Sequence, residues 1–296
     1  MITLLLNPAA GNGRSKKVAN AAAAYLKKKD LPYQILETHG PLDATNLCKK
    51  LKEDAKEGDL LLVIGGDGTF SEVVDGLAGS SLPVAILGAG TGNDMLKSFP
   101  NVPKKPEEAL PYILAQAPHK MDLCRLNGIR FANESGLGFD VAVLDHTEKA
   151  KKYFKGLLPY LWGVIKTIFT YKSIPLRITA DGKTILEEEC LVLSVANGQY
   201  IGGGIRISPT ANPEDGLMDV IVMRCCSKAR MVFSYLPGLL QGKILSFPHA
   251  YHCRAKEVTV EPLRKDETLR VNVDGEILDQ QSCSYKIEPE SLWIQM

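Results

Sequence analysis

Leu60-Leu61-Leu62-Val63-Ile64 runs without a polar side chain straight into Gly65-Gly66-Asp67-Gly68-Thr69. An unbroken apolar run of this length suits a strand covered on both faces, which in practice means a parallel sheet with helices packed against it. Glycine at three of the next four positions lets the backbone approach a partner closely. The run then opens a helix whose apolar positions include Val73, Val74 and Leu77. A carboxylate such as Asp67, placed beside a nucleotide triphosphate, is a usual device for holding Mg²⁺. A tight turn with a capping box, Thr69 paired with Glu72, is the competing reading, and the two are compatible.

The rest of the first third repeats the alternation. Strands are expected at Ile2–Asn7, Tyr33–Thr38 and Val84–Leu87, with helices near 14–29 and 42–56. Ligands of such sheets bind at the carboxyl ends of the strands. Two more glycine-rich loops fall at those ends, Asn7-Pro8-Ala9-Ala10-Gly11-Asn12-Gly13 and Gly88-Ala89-Gly90-Thr91-Gly92-Asn93-Asp94. Backbone N–H groups in such loops, with a helix N-terminus behind them, suit an anion; plain connections between elements are the alternative.

Beyond Pro118 the pattern changes. Asn127-Gly128 and Asp181-Gly182 each separate two strand-like runs and signal two-residue hairpins, since type I′ turns need positive φ at both central positions. A β-rich second domain of two packed sheets follows, interrupted by apolar helical insertions near 153–171 and 229–245. A chain of 296 residues has room for both domains.

Net charge is +1, so overall charge selects no nucleic-acid partner. Seven scattered cysteines without a CxxC pair fit a reducing compartment. His249, His252 and Cys253 lack a second ligand cluster and read as ordinary side chains. The opening residues read as a buried strand rather than a signal peptide, and no apolar run reaches the roughly 18–20 residues that span a bilayer. The expected location is cytoplasmic, peripheral to the inner face of the membrane. Lys149–Lys172 carries six lysines, several aromatics and no acid, and Val220–Lys256 has six Lys or Arg and again no acid. That composition suits an anionic lipid surface; buried helices of the second domain are the alternative.

The three loops together resemble the diacylglycerol kinase catalytic family, which includes bacterial lipid kinases and the sphingosine kinases. The likeness continues through Phe131-Ala132-Asn133, Gly138-Phe139-Asp140, Gly202-Gly203-Gly204, Asp215-Gly216-Leu217-Met218-Asp219 and Val273-Asp274-Gly275-Glu276. The Gly-Gly-Asp-Gly-Thr loop alone also occurs in the more distantly related NAD kinases. The resemblance implies an N-terminal α/β domain with a parallel sheet (residues 1–118, with 290–296 returning to it), which binds ATP. It implies a C-terminal β-sandwich domain (119–289) for the lipid, with the active site between them. The implied reaction is ATP-dependent phosphorylation of a lipid hydroxyl, foremost diacylglycerol to phosphatidic acid, at a membrane surface. The alternatives are an NAD kinase-like enzyme and a non-enzymatic nucleotide-binding regulator. By the same resemblance Asn7, Thr38, Gly66, Asp67, Gly68, Thr69, Glu72, Thr91 and Asn93 line the nucleotide site, and Asp67 helps hold the catalytic Mg²⁺. Arg14 and Lys16 either reach the phosphates or are solvated. Asp274 and Glu276 are the candidate proton acceptors, although Asp-Gly between strands also reads as a bare hairpin turn. Asn212, Asp215 and Leu217 match positions of a structural Mg²⁺, through two backbone carbonyls and one carboxylate. Gly92 stands where many members carry alanine, a change expected to leave the loop intact. A homodimer is left open.

Overall fold

The computed structural model describes residues 1–150, 152–153 and 158–296, apart from the side chains of Glu148, Tyr160 and Leu161. The expected α/β alternation opens the chain. Strands β1 (Ile2–Leu6), β2 (Tyr33–Glu37), β3 (Leu60–Gly65) and β4 (Val84–Gly88) form a parallel sheet in the order β2-β1-β3-β4. Leu4 pairs with Leu62, and Val63 with Ile86. Every residue of β1, β3 and β4 is buried, as an apolar run covered on both sides should be. Helices α1 (Arg14–Lys28), α2 (Asp43–Asp54) and α3 (Asp67–Leu77) are the crossovers. A fourth, α4 (Pro106–Leu114), has Pro106 in its first turn followed by Glu107 and Glu108, a start signal that periodicity alone passes over.

Strands β5 (His119–Leu126) and β6 (Ile129–Phe131) flank Asn127-Gly128. Further on, β7 (Glu134–Gly138) leads into α5 (Phe139–Ala150) and α6 (Leu158–Thr170). The hairpin of β8 (Ile174–Ala180) and β9 (Lys183–Ala196) turns at Asp181-Gly182. At both turns the two central residues have positive φ, the type I′ geometry the dipeptides predict. The remaining strands are β10 (Tyr200–Ile201), β11 (Ile205–Arg206), β12 (Met218–Arg224), β13 (Ala250–Ala255), β14 (Glu257–Pro262), β15 (Leu269–Val273), β16 (Glu276–Gln280) and β17 (Cys283–Ile294). These form the C-terminal β-sandwich domain.

Strands β5 and β17 join the two halves. Cys283–Glu288 serves the second domain, while Ile294 runs parallel to Val84 of β4. Met121, Leu123, Leu292, Ile294 and Met296 pack into the first core, and Cys124, Leu126, Tyr285 and Ile287 into the second. Hydrogen bonding therefore continues from one domain into the other, which holds the loops at the ends of β1, β3 and β4 against the second domain.

Strand β12 is buried on both faces. Val220 and Val222 point into the sandwich core, while Ile221 and Met223 meet a third cluster formed with Val164 and Ile168 of α6 and with Met231 and Tyr235. Val220–Lys256 is thus not one surface segment as its composition suggests. Its two ends are the strands β12 and β13, and only the stretch between them covers the sheet.

Candidate active site

The three glycine loops pack backbone against backbone. A Cβ on Gly11 would lie 2.0 Å from the Ala89 carbonyl oxygen, and one on Gly90 would lie 2.5 Å from the Cα of Gly66. Gly11 also has φ +59°, so both space and conformation require glycine there. This contact shapes a cleft of about 920 Å³. Asn7, Thr38, Gly66, Asp67, Gly68, Thr69, Glu72 and Thr91 line it from the first domain, and Asp274 and Glu276 from the second.

Asn93 does not reach the cleft with these residues. Its Oδ1 accepts from the Gly90 N–H (3.0 Å) and its Nδ2 donates to the Gly90 carbonyl (3.1 Å), which closes the third loop on itself. Arg14 and Lys16 begin α1 and do not line the cleft either. The capping box is not formed. Helix α3 starts at Asp67, so Thr69 lies inside it; the Thr69 hydroxyl accepts from Asn7 Nδ2 (2.9 Å). Glu72 reaches across to α2 instead, where its Oε2 accepts from the Ala44 N–H at 3.1 Å. A carboxylate there satisfies an orphan helix donor and complements the helix dipole.

Asp67 Oδ1 accepts from the backbone N–H groups of Asp94 (2.6 Å) and Met95 (3.3 Å). Burial, then the neighbouring Asp94, pushes the Asp67 carboxyl above the usual range. A Cβ on Gly92 would lie 2.7 Å from Asp67 Oδ2, so glycine keeps open the space beside that oxygen. Because the atom met is the end of a flexible side chain, Gly92→Ala, the residue many family members carry, should need only a small shift of the Asp67 carboxylate and change kcat by no more than about a few-fold. A loss of kcat of about tenfold or more in a folded Gly92→Ala protein would show that this oxygen needs the room.

Asp274 and Gly275 have φ +47° and +101° and turn the chain between β15 and β16. The segment is thus a hairpin turn and also part of the cleft. Asp274 Oδ2 accepts from the Ala132 N–H (2.8 Å), and Oδ1 from the N–H groups of Asn133 (3.1 Å) and Glu134 (2.9 Å). Those bonds favour the ionised form, yet burial outweighs them and the carboxyl is pushed up to about 6, with Asp67 adding a smaller like-charge push. Asp67 and Asp274 also border a second cavity of about 190 Å³, whose walls include Phe70, Met95, Leu144 and Ile201.

The described residues lining the main cleft include four carboxylates, Asp67, Glu72, Asp274 and Glu276, and no lysine or arginine. A polyphosphate bound there needs charge compensation that side chains do not supply. The loop N–H groups can supply part of it, and divalent cations the rest. Asp67, with one oxygen anchored and the other beside open space, fits a hard cation.

Asn212, Asp215 and Leu217 lie elsewhere, in the turn before β12. Asp215 Oδ1 accepts from the Leu217 N–H (3.1 Å), and Arg254 approaches Oδ2 at 3.3 Å. A cation at this turn would share Asp215 with Arg254, and the described residues hold no group of three or more His, Cys, Asp or Glu arranged for a metal. His252 is engaged with buried Asp219, at 2.7 Å.

Two arrangements escaped the sequence reading. Asp94 Oδ2 accepts from the Gly203 N–H (2.7 Å) and its Oδ1 pairs with Lys97 (2.8 Å), tying the third loop to the second domain. Behind Asp274, Glu134 and Asp140 crowd one another. A Cβ on Gly136 would lie 2.0 Å from Asp140 Oδ2 and 2.9 Å from Glu134 Oε1. Burial pushes Glu134 well above the usual carboxyl range and Asp140 up to about 6. The shift is upward, so burial keeps the proton on Asp140 to a higher pH in the folded protein than in the unfolded chain. Its contribution therefore favours the folded state below about pH 4 and is lost as the pH rises through about 6. Asp140→Asn should flatten that dependence, changing the difference in unfolding free energy between pH 5 and pH 7 by about 1–3 kcal/mol. Urea titrations at the two pH values measure it, and an unaltered difference would rule the effect out.

Residues 1–126 match the family described as diacylglycerol kinase catalytic domain, and residues 134–296 the one described as YegS C-terminal NAD kinase beta sandwich-like domain. The chain is 29% identical over 265 residues to a diacylglycerol kinase of Mycobacterium tuberculosis, covering 88% of this chain and 84% of that protein. It is 28% identical over 270 residues to a Staphylococcus aureus protein assigned as a lipid kinase, covering 89% and 86%. A crystal structure of a Bacillus anthracis protein assigned as a diacylglycerol kinase superposes with a TM-score of 0.79 at 28% identity, covering 99% of this chain and 96% of that one.

Proposed function

The chain belongs to the family that joins a diacylglycerol kinase catalytic domain to a YegS-type β-sandwich, and is a lipid kinase phosphotransferase; from that premise we propose that it transfers the γ-phosphoryl group of ATP to the free hydroxyl of diacylglycerol, giving phosphatidic acid. The observation that carries this reading is the junction of two unlike cavities at Asp67 and Asp274. The large cleft, walled by glycine loops and hydroxyls, suits a nucleotide. The small one sets Phe70, Met95, Leu144 and Ile201 beside Asn133, Glu134 and Asn272, and that mixture of apolar and polar walls suits the glycerol end of a lipid.

Mg²⁺, held through Asp67, would neutralise the phosphates and the charge that develops on them. Every other part is done by the chain. The backbone of Asn7–Gly11 and of Gly90–Gly92 lines the cleft and faces the phosphates. Asp274 takes the proton. A carboxylate offers about four lone-pair positions, and three are filled by the Ala132, Asn133 and Glu134 donors. The carboxylate is thereby fixed with one position left for the acceptor hydroxyl. As the hydroxyl oxygen bonds to the γ-phosphorus, the bond to the bridging oxygen breaks, ADP leaves with that electron pair, and the hydroxyl proton passes to Asp274. Glu276 stands at the exposed rim of the same cleft and acts on the charge balance there. A structural Mg²⁺ at Asn212, Asp215 and Leu217 takes no part in this scheme.

An NAD kinase-like reaction is the alternative. Incubation with labelled ATP and a panel of diacylglycerol, sphingosine, other lipid alcohols and NAD tests the choice. The expected result is preferential labelling of diacylglycerol; preferential labelling of another acceptor would replace it.

A further inference from the structure

Helix α6 is apolar on both faces. Val164, Thr167 and Ile168 turn inward, against the cluster that includes Ile221 and Tyr235. Leu158, Trp162, Ile165 and Phe169 remain 57%, 49%, 52% and 68% exposed. Their spacing of four, three and four residues places them on one stripe. Single exposed apolar residues are ordinary, whereas a continuous stripe marks a surface that another phase or molecule covers. Lys149, Lys152, Lys166 and Lys172 flank the stripe and are all exposed. Lys228, from the segment between β12 and β13, donates to the Phe169 carbonyl (2.9 Å) and lies over the Phe169 ring. From Lys149 to Lys172 there is no acidic residue. The nearby Asp145 of α5 is paired with Arg270. Lys151, Phe154 and Lys155, which the composition also assigns to this surface, lie outside the described residues, as does the side chain of Tyr160. No described helix is long and apolar enough to cross a membrane.

We propose that the Leu158–Trp162–Ile165–Phe169 stripe is a membrane-docking face that inserts into an anionic bilayer, with the flanking lysines at the headgroups. The charge pattern selects this occupant. A rim carrying Lys149, Lys152, Lys166 and Lys172 around an apolar stripe complements an anionic surface, and two such lysine-rich rims facing each other across a symmetric dimer would repel. The inference rests on the lipid-kinase reading for its purpose, but its test needs no ATP.

The chain has two tryptophans, Trp162 and Trp293. In a Trp293→Phe protein, Trp162 is the sole emitter. Its fluorescence should shift to the blue with vesicles containing phosphatidylglycerol, much less with phosphatidylcholine alone, and the shift should fade at high salt because the lysines act through screened charge. Ile165→Asp/Phe169→Asp, both exposed positions, should weaken vesicle binding by at least about tenfold while circular dichroism and activity on a dispersed short-chain diacylglycerol persist. Lys166→Glu/Lys172→Glu should remove the preference for anionic lipid. Equal response to both vesicle types would overturn the proposal, as would full binding by the aspartate variant. A concentration-dependent blue shift without vesicles would assign the stripe to a second copy of the chain instead. Activity on the short-chain substrate reports the kinase reading separately, so either idea can fail alone.

Discussion

Asp67→Ala will reduce Mg²⁺-dependent phosphoryl transfer by roughly 10²–10³-fold or more and leave a folded protein. The loss follows from the charge pattern of the cleft. No lysine or arginine lines it among the described residues, so the divalent ion and the backbone donors carry the compensation, and Asp67 is the carboxylate with an oxygen left beside open space. Folding should survive because α3 keeps its buried face, Phe70, Val73, Val74 and Leu77. Two backbone donors, at Asp94 and Met95, lose their acceptor. In an open cleft water can replace it, at a cost of about 1 kcal/mol. Retention of more than a few per cent of activity, with a normal circular dichroism spectrum, would sink the assignment.

Asp274→Asn should lower kcat by roughly 10²–10⁴-fold with little change in ATP affinity. The amide keeps the shape but cannot take a proton. Because burial pushes the Asp274 carboxyl up to about 6, the wild-type kcat should rise with pH as the base ionises and level off above that value; this limb should be missing from the residual activity of the variant. Glu276→Gln should cost much less, since Glu276 lies at the rim and lacks the cage of donors around Asp274. The opposite ranking would exchange the roles of the two carboxylates. Wild-type kcat in both variants would reduce the segment to a hairpin turn.

The apolar run 60–64 and the glycines after it made the first domain legible, because burial on both faces leaves few alternatives for such a strand. The two Asx-Gly dipeptides made the β5–β6 and β8–β9 hairpins legible for a conformational reason. Other features depended on long-range partners that a linear reading does not contain. Thr69 and Glu72 have capping-box spacing, but where a helix starts is decided by its surroundings, and their partners turned out to be Asn7 and Ala44. Asn93 has the look of a cleft residue and spends its amide on Gly90. The Glu134–Asp140 pair is invisible until β7 and the first turn of α5 bring it together around Gly136. Composition marked 149–172 and 220–256 alike as surface. Only the structure separates the buried β12 from the exposed stripe on α6, because apolar content does not say which of two apolar faces meets the core.

On this reading Asp67 and Asp274 form one site that phosphorylates a lipid hydroxyl. Acceptor-dependent transfer of label from γ-labelled ATP into an organic-extractable product, measured for the wild type beside the Asp67→Ala/Asp274→Asn double variant, tests it most directly. The expected result is a single labelled product, phosphorylated diacylglycerol, from the wild type and no label above background from the double variant. Label that appears in NADP instead, or equal incorporation by the two proteins, would contradict it.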